Sequence, residues 1–239
     1  MSRLLAAEWL KLTTVRTFLW LALADVGLVL VVSVATAVSA GEIQSAQDSR
    51  GAAQIASLAL ILGLIAAILV MAGESTHGTL THTLLVTPAR ERVLMATATV
   101  GAALSLALVG AAEVLVLGVI VPGASLDVHD AGLVLIGTLI AAPIVGLIGI
   151  GLGTVVRGQG SAIAVSLVWL LVGESFFPLI SETAAPYTPG RAVAALVSGD
   201  RDGNPHAHLL GVGSGGLVAL MWAAIALAVG FFVLSRRDI

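Results

Sequence analysis

Residues 73–92 read GESTHGTLTHTLLVTPARER. This polar stretch separates two long apolar runs, Ala53–Gly73 and Val93–Val121. A helix rises 1.5 Å per residue, so about 20 apolar residues cross ~30 Å of hydrocarbon. Both flanking runs meet that length, and 74–92 is then a loop between two membrane-crossing helices. Its composition is richer than a connector needs. It opens on Glu74, contains Gly78-Thr79, His77 and His82, and closes on Pro88, Arg90, Glu91 and Arg92.

The composition of the whole chain agrees with that reading. Of 239 residues, 58% are hydrophobic and 10% charged, against about 25% charged in soluble domains. So little polar surface cannot cover a water-soluble fold, and the bilayer is the expected main solvent. The absence of cysteine excludes disulfides, thiolate metal sites and a cysteine nucleophile.

Outward from the loop, four further runs are long and apolar enough to span: 18–39, 132–156, 161–180 and 216–234. With 53–73 and 93–121 they predict an all-α membrane protein, a single domain over 1–239 with six transmembrane helices. A signal peptide is the competing reading of the N-terminus, but 18–39 exceeds the 7–15 residues of an h-region, and it is read as a retained transmembrane helix. Val93–Val121 is longer than required and predicts a tilted or protruding helix. Residues 1–16 are too polar to span. Read as a helix, they place Leu5, Trp9 and Leu12 on one side, and Arg3, Glu8 and Lys11 largely elsewhere. That pattern predicts an amphipathic helix lying at the membrane surface, anchored by Trp9 at headgroup level. The competing reading is a disordered tail.

Six spans put both termini on one side, and arginine and lysine choose it. With the termini inside, the inner segments hold Arg3, Lys11, Arg16, Arg90, Arg92, Arg157, Arg236 and Arg237, and the outer loops hold Arg50, Arg191 and Arg201. This bias predicts cytoplasmic termini. Residues 157–160 form a minimal inner turn, and 122–131 a short outer loop. The outer segment 181–215 contains Pro186, Pro189 and the apolar stretch Ala192–Val197. It is read either as a surface loop or as chain dipping into the outer leaflet, which is tolerated where the backbone is buried in protein. In the fourth run, Gly149 and Gly153 are spaced for close helix approach, and Pro143 is expected to loosen that helix locally.

Enzymatic readings find little support. The chain has no G-x-x-x-x-G-K-[ST], no H-E-x-x-H and no G-x-S-x-G. His77 and His82 lack a third ligand nearby, as do His206 and His208, and metal sites take three or four. Three acids do lie inside the runs: Asp25, Glu113 and Glu174. Each costs about 2.5–3.5 kcal/mol at a helix centre, so each must face protein or water. The functional reading is a polar translocation path. The plainer one is an acid near a helix end, or one hydrogen-bonded to Ser, Thr or Trp across the bundle.

The order of these parts resembles the ABC-2 type permeases, the membrane subunits of bacterial ABC exporters, over the whole chain. The sharpest match is Glu74-x-x-x-Gly78-Thr79-Leu80, followed by Leu85, Pro88-Ala89-Arg90 and Arg92. Ala7-Glu8-Trp9-Leu10-Lys11-Leu12 and Arg236-Arg237-Asp238-Ile239 resemble the family's termini. One departure is Met95-Ala96-Thr97, where such permeases often carry a lysine. The resemblance implies that 74–92 holds a coupling helix docking on a separate ATPase subunit. It implies Glu74, Gly78, Thr79, Pro88, Arg90 and Arg92 as coupling residues. Thr87-Pro88 suits a helix start; Arg90 and Arg92 are placed to pair with acids of a partner; Glu74 is placed to bond a polar neighbour or the N-terminal segment. It further implies a second permease chain, identical or not, and no cofactor on this chain, with ATP and magnesium on the ATPase subunit. No nucleic acid partner is expected. The expected setting is the bacterial plasma membrane, and the expected cargo an apolar or amphiphilic drug, peptide or lipid. The alternative is a proton-coupled carrier using Asp25, Glu113 and Glu174. Against it, the sequence shows no inverted repeat and no paired broken helices.

Overall fold

The computed structural model describes residues 2–39, 46–76, 78–79, 83, 85, 89–120, 128–156, 158–198 and 209–236. Its elements are α1 (Ser2–Thr14), α2 (Arg16–Ser39), α3 (Ala46–Gln54), a 3-10 turn (Ile55–Ser57), α4 (Leu58–Thr76), α5 (Arg90–Ile120), α6 (Val128–Val155) and α7 (Gln159–Val168). A π turn (Trp169–Gly173), α8 (Glu174–Ile180), a second 3-10 turn (Ala185–Tyr187), α9 (Pro189–Val197) and α10 (Val212–Ser235) complete it. Among the described residues there is no strand. Among the described residues, six helical stretches are long and apolar enough to cross a membrane: 16–38, 50–76, 90–119, 131–155, 159–180 and 212–235. These are the six expected spans, three of them extended by about a turn at an end. The chain is a multi-pass helical membrane protein.

The packing has a centre and a periphery. α6 lies against α4, α5 and α10, and the reason is its small residues. A side chain at Gly149 would meet the Leu64 carbonyl at 2.8 Å, and one at Gly153 the Ile68 carbonyl at 2.8 Å. The expected close-approach pair therefore faces α4, where backbone meets backbone. The helix runs through Pro143 without interruption. α5 has 31 residues and is ~46 Å long at 1.5 Å per residue, well beyond the hydrocarbon.

α2 buries only a narrow stripe, Asp25, Val29 and Ser33 among its neighbours. The unit made of α7, the π turn and α8 is mostly exposed, with large apolar side chains outward. Both are accounted for by lipid contact, since exposed apolar residues are the rule on a bilayer-facing surface.

Two local corrections follow. On α1 the inward stripe is Leu5, Glu8 and Leu12, while Trp9 is exposed. Glu8 turns inward because it pairs with Lys11, which reaches into the bundle. The segment after the fifth span is more than a surface loop: α9 packs against α6 and α10 and buries Ala192, Ala195, Leu196 and Val197.

Candidate functional site

Two sites stand out, at opposite ends of the bundle. The proximal end carries α1, the C-terminal end of α4, the start of α5 and the end of α10. Here Lys11 Nζ donates to Glu74 Oε1 at 2.5 Å and to Glu8 Oε1 at 2.6 Å. Both carboxylates are almost fully buried, while the lysine side chain is 41% exposed. Burial presses the Lys11 ammonium towards its neutral form. The hydrogen bonds and charges of Glu74 and Glu8 outweigh it and hold the group above its ordinary 10.5. Glu74 therefore bonds the N-terminal segment, one of the two partners foreseen. Its second oxygen, Oε2, is buried with no hydrogen-bond partner.

The same end is tied to the last helix. Arg90 Nη1 donates to the Leu234 carbonyl at 2.6 Å and the Ser235 carbonyl at 2.8 Å. A helix leaves its last carbonyls without intrahelical partners and carries a partial negative charge there, so a guanidinium suits the position. Sequence reasoning gave Arg90 to an external acid and missed this use. A positive residue 144 positions away carries no local signal.

Of the remaining loop residues, Gly78 has φ +70°, a left-handed conformation that glycine adopts without strain. Thr79 Oγ1 donates to the Glu74 carbonyl at 3.4 Å, and Thr83 Oγ1 to the Thr79 carbonyl at 3.2 Å. Leu85 is exposed, as is Arg92. Pro88, Leu80 and Thr87 lie outside the described residues, and so does the expected helix start at 87–88.

The distal site is built on Glu174. Its Oε1 accepts from Trp169 Nε1 at 3.2 Å and Gly190 N at 2.7 Å. Its Oε2 accepts from Thr188 Oγ1 at 2.5 Å and Arg191 N at 3.2 Å. Pro189 opens α9 and has no N–H to satisfy; the next two amides belong to Gly190 and Arg191. Glu174 thus caps α9 from another helix, supplying both the acceptors and the negative charge that a helix start favours. The plainer of the two readings, an acid held by Thr and Trp, describes it.

Beside Glu174 lies a cavity of about 790 Å³ between α4, α6, α7, α9 and α10. Its walls are almost wholly apolar, among them Leu64, Leu152, Leu170 and Val229. Asp25 and Glu113 do not line it. Both Asp25 oxygens and Glu113 Oε1 are buried without hydrogen-bond partners, so no hydrogen bond joins Asp25 to either of the other two acids. Among the described residues, no three histidines or acids are placed to hold a metal ion.

Fold and sites together define a six-span membrane protein with an ion-paired proximal end and an apolar cavity beneath a capped helix. No protein-family model matches this chain, and no curated protein is significantly similar to it.

Proposed function

We propose that this chain is the permease subunit of an ATP-driven ABC exporter of the ABC-2 type, with cytoplasmic termini in the bacterial plasma membrane. One observation carries the reading. The N-terminal stretch and the 74–92 loop, which resemble the family, and the end of the last helix lie far apart in sequence, yet they meet at one end of the bundle and are bonded to one another. Lys11 bridges the N-terminal segment to Glu74, and Arg90 joins the loop's far end to the last helix. A partner ATPase docking on 74–92 would push on three elements at once: α1, the α4–α5 connection and α10. α1 would lie at the inner surface with the exposed Trp9 at headgroup level. ATP and magnesium belong to the partner subunit, and hydrolysis is no part of this chain's chemistry. A second permease chain, identical or similar, completes the transporter, and its cargo is apolar or amphiphilic.

The test is purification of the tagged chain from its native membranes in mild detergent. A stoichiometric ATPase subunit, with hydrolysis lost in a Glu74→Ala, Arg90→Ala variant that still inserts, is the expected result. An intact chain with no partner and no hydrolysis overturns the reading.

A second reading, a proton-coupled carrier, is favoured by one observation: Asp25 is fully buried with neither oxygen bonded. That reading requires transport without an ATPase and its loss in Asp25→Asn or Glu113→Gln.

A further inference from the structure

We infer that the cavity under α9 is a binding site for the alkyl chain of a lipid-like amphiphile, entered from the distal leaflet with the polar head at the α9 rim. The inference deepens the export reading by naming where an apolar cargo sits within one chain.

The lining is graded along the bundle. Of its polar members, Gln54, Ser57 and Glu174 lie towards the distal ends of their spans, Ser198 follows α9, and Ser166 lies deeper. The proximal part is walled by Leu64, Ile148, Leu152, Val155 and Val229. Most of the polar groups are already committed. Ser57, Ser166 and Ser198 donate to carbonyls of their own helices. Glu174 accepts four bonds, and the Trp169 and Trp222 indole N–H groups go to Glu174 and the Tyr187 carbonyl. The cavity thus offers a ligand apolar faces, two tryptophan rings and little else. Buried water needs two to four polar partners, and the proximal half supplies from its side chains only the Ser166 hydroxyl, whose proton goes to the Ala162 carbonyl.

Size agrees with this chemistry. From Val145 to Val155 the α6 wall rises roughly 15 Å at 1.5 Å per residue, the hydrocarbon depth of about one leaflet. The volume falls within the 300–1,000 Å³ of ordinary small-molecule sites. α9, fixed by Glu174, roofs the distal end, and the loosely packed α7–α8 unit forms the side next to lipid.

The experiment uses the purified chain in lipid nanodiscs, without nucleotide or ATPase, and a lysophospholipid with a diazirine at its chain end. After irradiation, labelled peptides are mapped by mass spectrometry. Adducts on Leu152, Val155 or Val229, saturable by unlabelled lysophospholipid, are expected. Ala194→Trp, which fills the cavity below α9, should reduce them at least fivefold and leave adducts on the exposed Val38 and Leu179 unchanged. Competition in the wild-type chain decides the matter should that variant not fold. Adducts confined to Val38, Leu179 and similar outward residues, or deep adducts that do not saturate, overturn the proposal. So does protection of the cavity walls by a second copy, seen as chain-to-chain crosslinks in place of lipid adducts. Failure here leaves ATPase co-purification untouched, and failure there leaves the labelling untouched.

Discussion

Glu174→Gln is the change whose consequence the geometry defines most closely. The substitution keeps size and shape, so no cavity opens. Its amide nitrogen must replace either Oε1, which faces Trp169 and Gly190, or Oε2, which faces Thr188 and Arg191. At Oε1 two donors would lose their acceptor; at Oε2 the Thr188 hydroxyl can turn its proton to the Ala185 carbonyl and accept from the amide, so the Arg191 N–H loses its acceptor and the remaining bonds lose their charged partner. A hydrogen bond to a charged group contributes about 1.5–3 kcal/mol. Allowing for relaxation and for the weaker field of a neutral cap at the α9 start, the loss is about 3 kcal/mol. That is a factor of about 100 in a local opening equilibrium. Hydrogen–deuterium exchange of the chain in nanodiscs reads it directly, because amide protection follows local opening. Peptides covering 189–198 should exchange about 100-fold faster, while those covering 58–72 in α4 should not change. Unaltered protection of 189–198 would refute the cap. Acceleration spread evenly over both regions would refute its local character.

Three further outcomes follow from other contacts. Lys11→Met leaves Glu8 and Glu74 buried without their cation; with the lysine partly exposed, the cost is about 2 kcal/mol, read as a lower melting temperature by tryptophan fluorescence. Because Lys11 is held above its ordinary 10.5, its own titration leaves its contribution complete below that value and removes it as pH rises through the higher folded value; the wild-type and Lys11→Met melting temperatures should therefore converge in alkali, and also in acid once the two carboxylates paired with Lys11 are protonated. Gly149→Val forces side-chain atoms against the Leu64 carbonyl and should cost about 3 kcal/mol or more by overpacking, whereas Gly110→Ala, where nothing lies within 4 Å, should be neutral in the same assay. Arg90→Ala uncaps the end of α10 and should raise exchange of the amides at 232–236 about tenfold, matching a loss of about 1.4 kcal/mol; no change there would show that solvent satisfies those carbonyls equally well.

What the sequence could and could not reveal divides along a physical line. The six spans were legible because length and hydropathy are local properties, and the bilayer demands both of every segment separately. The role of Gly149 and Gly153 was legible for a similar reason: their spacing fixes a face, although not which neighbour fills it. The inward turn of Glu8 was not, because periodicity weighs an acid against an apolar stripe without knowing that Lys11 and Glu74 wait beneath it. The three intramembrane acids make the sharpest case. In sequence they are equivalent, each a charge set in an apolar run. In the fold Glu174 has four donors, because a helix 15 residues later, α9, begins against it, whereas Asp25 has none. An acid inside a membrane segment is a sign of cost; whether the cost is met by structure or left for a proton or a ligand depends on elements distant in the chain. Glu174 is therefore withdrawn from the set of groups free to bind cargo. The cavity beside it is left with apolar walls, and it is this loss of a candidate charge that points the site towards an alkyl chain instead of a cation.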